Sequence, residues 1–150
     1  MSVFEQISKD IMAAMKARET IKLEALRAVK KEFIEAKSAI SATAELADDE
    51  ALKIIQKLVK QRRETAVVYS TQGREDLASR EVEEADYLAV YLPIQLSADE
   101  IATVVKKIIS DLGITSQKEM GKVMGAASKA LAGKADGKLV ADVVKKLLVS

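Results

Sequence analysis

The chain has 150 residues, 49% of them hydrophobic and 31% charged, with a net charge of +1 and no cysteine or histidine. That length buries a core of ordinary size as one domain or two small ones. Without cysteine or histidine, disulfides, thiolate metal sites, cysteine nucleophiles and the usual general base are all excluded. One proline, six glycines and five aromatics in all suit an all-helical protein far better than a sheet protein or a disordered one.

Ser2 and Glu5 have the spacing of a capping box, after which Phe4, Ile7, Ile11, Met12 and Met15 mark a short amphipathic helix to about residue 17. A second helix is expected over 20–38, with Leu23, Leu26, Val29, Phe33 and Ala36 as its core stripe. Residues 41–49 form a connector of small and acidic side chains. Leu52, Ile55, Val59, Arg62, Ala66 and Tyr69 then mark a third helix that Gly73 ends. A fourth starts near Arg74, carries Leu77, Val82, Ala85, Leu88 and Leu92, and must stop near Pro93.

Ser97 with Glu100 is a second capping box. It opens a helix whose Ile101, Val104, Val105, Ile108 and Leu112 face inward until Gly113 closes it. Ser116 with Glu119 is read as a third box. A further helix follows to Gly133, and after an N-cap at Asp136 come Leu139, Val140, Val143, Val144, Leu147 and Leu148 on the last apolar face. The expectation is an all-α protein: a helical domain of about four helices over 1–96 and a three-helix domain over 97–150. The longest uncharged stretch, 87–98, contains Pro93 and is too short to span a bilayer, so no membrane contact and a cytoplasmic protein are expected.

The unusual part lies within 121–140. On a helical wheel for 116–132, Met120, Val123, Met124, Ala127 and Leu131 share the core face, and Lys118, Lys122, Gly125 and Lys129 share the opposite one. A glycine inside a helix costs ~1 kcal/mol relative to alanine, and core packing gives no reason for one at Gly125. Gly121, Ser128 and Ala132 flank the lysines, making a smooth strip edged with positive charge that another backbone can approach closely. Either a helix of the other half packs on this strip and the lysines are merely solvated, or a ligand binds there. Residues 118–146 hold seven lysines against Glu119, Asp136 and Asp142, a local +4 that favours a phosphate-bearing partner.

Catalytic candidates are scarce. Asp48 with Asp49 and Glu83 with Glu84 are adjacent pairs, which on a helix point to different faces, so they are read as solvated or capping. No phosphate-cradling glycine loop follows a strand, and no cofactor, metal or catalytic residue is assigned. The start of the last helix, near Lys134 and Lys138, has amides that suit a phosphate unless Asp136 caps them. Lys60, Gln61, Arg62 and Arg63 form a second basic cluster, read as structural because Glu64 and the acidic fourth helix can neutralise it.

Several of these segments carry a family resemblance: Tyr91, Leu92 and Pro93 with Gln95, Leu96 and Ser97; residues 120–125; residues 133–140; and 60–64 in the first half. Over essentially its whole length the chain resembles the YqeY proteins, whose C-terminal half is related to the tail domain of the B subunit of glutamine-dependent aminoacyl-tRNA amidotransferases. The tail's spacing of glycine, lysine and Gly-Lys-Ala falls on Gly125, Lys129, Gly133, Lys134 and Ala135, with Asp136 where those tails usually have asparagine.

The resemblance implies contact with tRNA through Lys122, Gly125, Lys129, Gly133, Lys134 and Lys138, and the wheel adds Lys118. It also implies amidotransferase subunits or an aminoacyl-tRNA synthetase as partners. A carbon-nitrogen ligase activity with glutamine as amido donor would come by association only, since the nucleotide and glutaminase motifs have no counterpart here. Two functions stay open: a tRNA-binding accessory protein, and a helical interaction module without RNA binding.

Overall fold

A computed structural model describes residues 1–149, so the last residue of the expected second domain, Ser150, lies outside the described residues. The protein is all-helical, with seven α-helices and no strand among the described residues. The helices are α1 (Val3–Ala17), α2 (Thr20–Ile40), α3 (Asp48–Thr71), α4 (Glu75–Ala89), α5 (Ala98–Leu112), α6 (Met120–Ala130) and α7 (Gly137–Leu148). They form two compact units, Met1–Leu92 and one beginning at Pro93.

In the first unit the ends of α1 are fixed locally. The Ser2 hydroxyl accepts from the Glu5 amide at 3.1 Å, and the Glu5 carboxylate accepts from the Ser2 amide at 3.3 Å, a reciprocal pair that satisfies two donors at the helix start. Asp48, at the start of α3, accepts from the Val3 amide at 2.9 Å and so caps α1 from 45 residues away. Arg18 closes the helix in the left-handed region at φ 58°, with the Glu19 amide reaching the Ala14 carbonyl at 3.0 Å. Ile7, Ile11, Leu26, Val29, Phe33, Ile55 and Leu88 are the centre of this unit's core. Phe4 stacks on Phe33 at 5.9 Å between ring centroids.

Three expected core positions in this unit are instead exposed. Met12 is 61% and Met15 50% exposed, because α1 buries only the narrow face carrying Ile7, Ile11 and Ala14. Val82 on α4 is also exposed, and Ala78, Ala85 and Leu88 are buried in its place. Glu84, read from its sequence neighbours as solvated, is only 9% exposed. The reason is that α4 packs against both α3 and α2, so more than one of its faces is covered.

The second unit is built the same way. Ser97 and Glu100 exchange hydrogen bonds at 3.2 and 3.0 Å at the start of α5, and Gly113 ends it at φ 65°. Ile101, Val105, Val123, Ala127, Val140 and Val144 meet in one core, whereas Leu112, expected inside, is exposed at the last residue of its helix. The third capping box does not form. The Ser116 hydroxyl accepts from the Lys118 amide at 3.2 Å, two residues on, which starts a 3₁₀ turn over Gln117–Glu119 before α6 begins.

Candidate nucleic-acid interface

The apolar residues of α6 decide which way the rest of it faces. Val123 and Ala127 are fully buried, Met120 and Met124 are half-buried, and all four belong to the core of the second unit. With that side held down, Lys122, Gly125 and Lys129 are exposed on the other, as are Gly121 and Ser128. A Cβ added at Gly121 or Gly125 would meet no heavy atom within 4 Å. Open space therefore lies above both glycines. Lys118 is exposed too, but it stands on the 3₁₀ turn and not on α6, so the wheel over 116–132 describes only 120–130.

The turn after α6 sorts its residues by a different rule. Leu131, Gly133 and Ala135 are buried, and Lys134 between them is exposed. Gly133 adopts φ 74°, a conformation that side-chain-bearing residues adopt at a cost. Its carbonyl accepts from the Gln95 side-chain amide at 2.6 Å, and the neighbouring Lys134 carbonyl accepts from the Leu96 amide at 2.8 Å. Gly133, placed on the RNA surface by the resemblance, is thus an interior residue of the turn that aims Lys134 outward.

At the start of α7, Asp136 has the extended backbone of an N-cap, but its side chain makes no capping hydrogen bond to the helix. Lys138, in the first turn of α7, is exposed. The structure thus places Lys118, Lys122, Gly125, Lys129, Lys134 and Lys138 on the surface of one unit and Gly133 inside it. Lys122, Lys129, Lys134 and Lys138 enter no ion pair among the described residues.

The other basic cluster is absorbed by its own unit. Arg63 lies 3.8 Å from Asp86 of α4, and Arg62 is half-buried, donating weakly to the Leu58 carbonyl at 3.5 Å. Burial pushes the Glu84 carboxyl above its usual range, and the nearby charge of Arg62 offsets only part of that. The Arg62 Nε is buried without a hydrogen-bond partner. An open cleft between α3 and α4, lined by Ser70, Glu75, Ser79, Glu83 and Asp86, is acidic and so suits no phosphate.

The sequence also matches the family described as Yqey-like protein over residues 4–148. The chain belongs to the YqeY family. No curated protein matches it. The family match spans both units, so the lysine-bearing turn and helix are part of the YqeY fold and not an appendage to it. No helix is long and apolar enough to cross a membrane, and no group of three or more carboxylates among the described residues is placed to hold a metal ion.

Gln95 and Leu96 were visible in the sequence only as part of a family segment. Their task of pinning the 131–136 turn carries no local signal, because the partners lie 38 residues further along the chain.

Proposed function

We propose that this YqeY protein is a tRNA-binding accessory factor whose second unit contacts tRNA, as the resemblance to the tail of the amidotransferase B subunit implies, and does so by gripping RNA phosphates. The observation that carries this is the outer face of α6, where Gly125 has open space above it and exposed Lys122 and Lys129 stand beside it. A helix gains ~1 kcal/mol from alanine over glycine at such a site, so a bare backbone there costs stability without serving the core. A partner that must come close to that backbone supplies the reason for it.

Lys118, Lys134 and Lys138 are exposed on the same unit, and the proposal assigns them to the same RNA-facing surface. Phosphate contacts by lysine give binding that is salt-dependent and steered over distance. The ligase activity suggested by kinship belongs, on this proposal, to a complex with amidotransferase subunits or an aminoacyl-tRNA synthetase. Purified protein mixed with a tRNA pool, followed by sequencing of the retained RNA, tests the proposal. Retention of tRNA by wild type and its loss in a Lys122→Ala/Lys129→Ala/Lys134→Ala variant supports it, and no retention rejects it.

A further inference from the structure

The second unit is notable for what its positive surface lacks. From Pro93 onward all nine basic residues are lysine. There is no arginine and no asparagine, and the five aromatics of the chain, Phe4, Phe33, Tyr69, Tyr87 and Tyr91, all precede it. Single-stranded RNA is read by stacking bases on aromatic rings or guanidinium planes and by hydrogen-bonding their exposed edges. Arginine and asparagine are also the residues that match base edges in a two-pronged way, while lysine is a point charge on a flexible stem. Of the two glutamines in this unit, Gln95 already uses its amide to hold the Gly133 and Pro93 carbonyls.

The lysines are nonetheless held on fixed supports. Lys122 and Lys129 ride on α6, whose other face is locked into the core. Lys134 is aimed by a turn pinned at two points, by Gln95 to Gly133 and by Leu96 to Lys134. Lys138 stands in the first turn of α7. Flexible point charges on fixed supports suit phosphates that are themselves at regular spacing, because each stem can adjust to its phosphate while the supports set the overall span. A flexible strand would have to be ordered on this surface at a cost in conformational entropy, with no stacking to offset it.

We infer, on the RNA reading proposed above, that this surface binds the sugar-phosphate backbone of double-helical RNA and is indifferent to base sequence. A-form RNA offers a wide, shallow groove flanked by phosphate rows, and double-stranded RNA is recognised largely by that shape. Gly121 and Gly125 put no side chain beside Lys122, and the space above both is open, so the backbone of α6 can lie close to such a groove there.

The test uses the full-length protein and fluorescence anisotropy with three labelled RNAs of ~20 nucleotides per strand: two duplexes of unrelated sequence and one unstructured single strand. The two duplexes are expected to bind within ~3-fold of each other, the single strand at least ~10-fold more weakly, and the triple lysine variant at least ~10-fold more weakly on duplex. Circular dichroism melting checks that the variant remains folded, as is expected for three exposed positions. A single strand bound as tightly as duplex, or duplexes that differ more than ~10-fold, overturns the inference while leaving RNA binding in place. Binding of neither duplex, single strand nor tRNA overturns both this inference and the function proposed above.

Discussion

The Leu96 amide donates to the Lys134 carbonyl at 2.8 Å, tying the strand of chain before α5 to the turn between α6 and α7. Gln95 adds a second tie one residue earlier, to the Gly133 carbonyl. Gln95 with Leu96 and the glycine-lysine turn are thereby one device: the first residues hold the second in the shape that exposes Lys134.

Gly133→Ala tests that device. At φ 74° an alanine is strained by about 1–2 kcal/mol, and the midpoint of thermal unfolding should fall accordingly. Lys134→Ala, one residue on and exposed, should leave stability within ~0.5 kcal/mol of wild type. Equal stability of the two variants would mean that Gly133 does not hold the turn.

Gly125→Ala should do the opposite. Nothing within 4 Å obstructs the added methyl, so helix propensity alone raises stability by up to ~1 kcal/mol. RNA affinity should fall in the same variant. A more stable protein with undiminished affinity would show that the partner does not need the bare backbone.

The helix ends were legible because their signals are local. Ser2 with Glu5, Ser97 with Glu100, and Gly113 each act within one turn of the helix they bound, and each does so in the structure. Burial was less legible, since it depends on what packs against a face. Met12, Met15, Val82 and Leu112 have apolar side chains at core-like spacing, yet the neighbouring helices cover other positions. Ser116 shows competition between two local motifs, its hydroxyl taking the amide two residues on rather than the one three residues on. On α6 the split between core face and lysine face followed from spacing alone, whereas the burial of Gly133 rests on Gln95 and Leu96 from the far side of α5.

Glu84 gives a dependence on pH. Burial raises its carboxyl above the ordinary glutamate range, so the folded state holds this proton more tightly than the unfolded state does. Stability from this group is fully present below the unfolded value and declines as pH rises through the folded one. Glu84→Gln, which cannot ionise, should gain stability relative to wild type as pH is raised from 4 to 7. Denaturant unfolding at several pH values checks this, and a constant difference between the two proteins would exclude it.

Tyr91 is half-buried, and its hydroxyl donates to the Asp10 carboxylate, linking the end of α4 to α1. Burial and that carboxylate together push the phenol above its usual range. Tyr91→Phe removes a hydrogen bond to a charged acceptor and should cost about 1.5–3 kcal/mol. Asp10 is not fully buried, so water can partly replace the lost donor and the lower end of that range is expected. An unchanged midpoint in urea would show that the contact contributes nothing.

The most direct measurement is the affinity of the purified protein for tRNA as a function of salt, in wild type and in the Lys122→Ala/Lys129→Ala/Lys134→Ala variant. If three or four phosphates are gripped, log affinity against log salt should fall with a slope of roughly −2 to −4 in wild type and become shallower by about 2–3 in the variant. The variant should bind at least ~10-fold more weakly at low salt while melting as wild type does. A variant that binds tRNA as tightly as wild type, with the same slope, would contradict the placement of RNA on α6 and the turn that follows it.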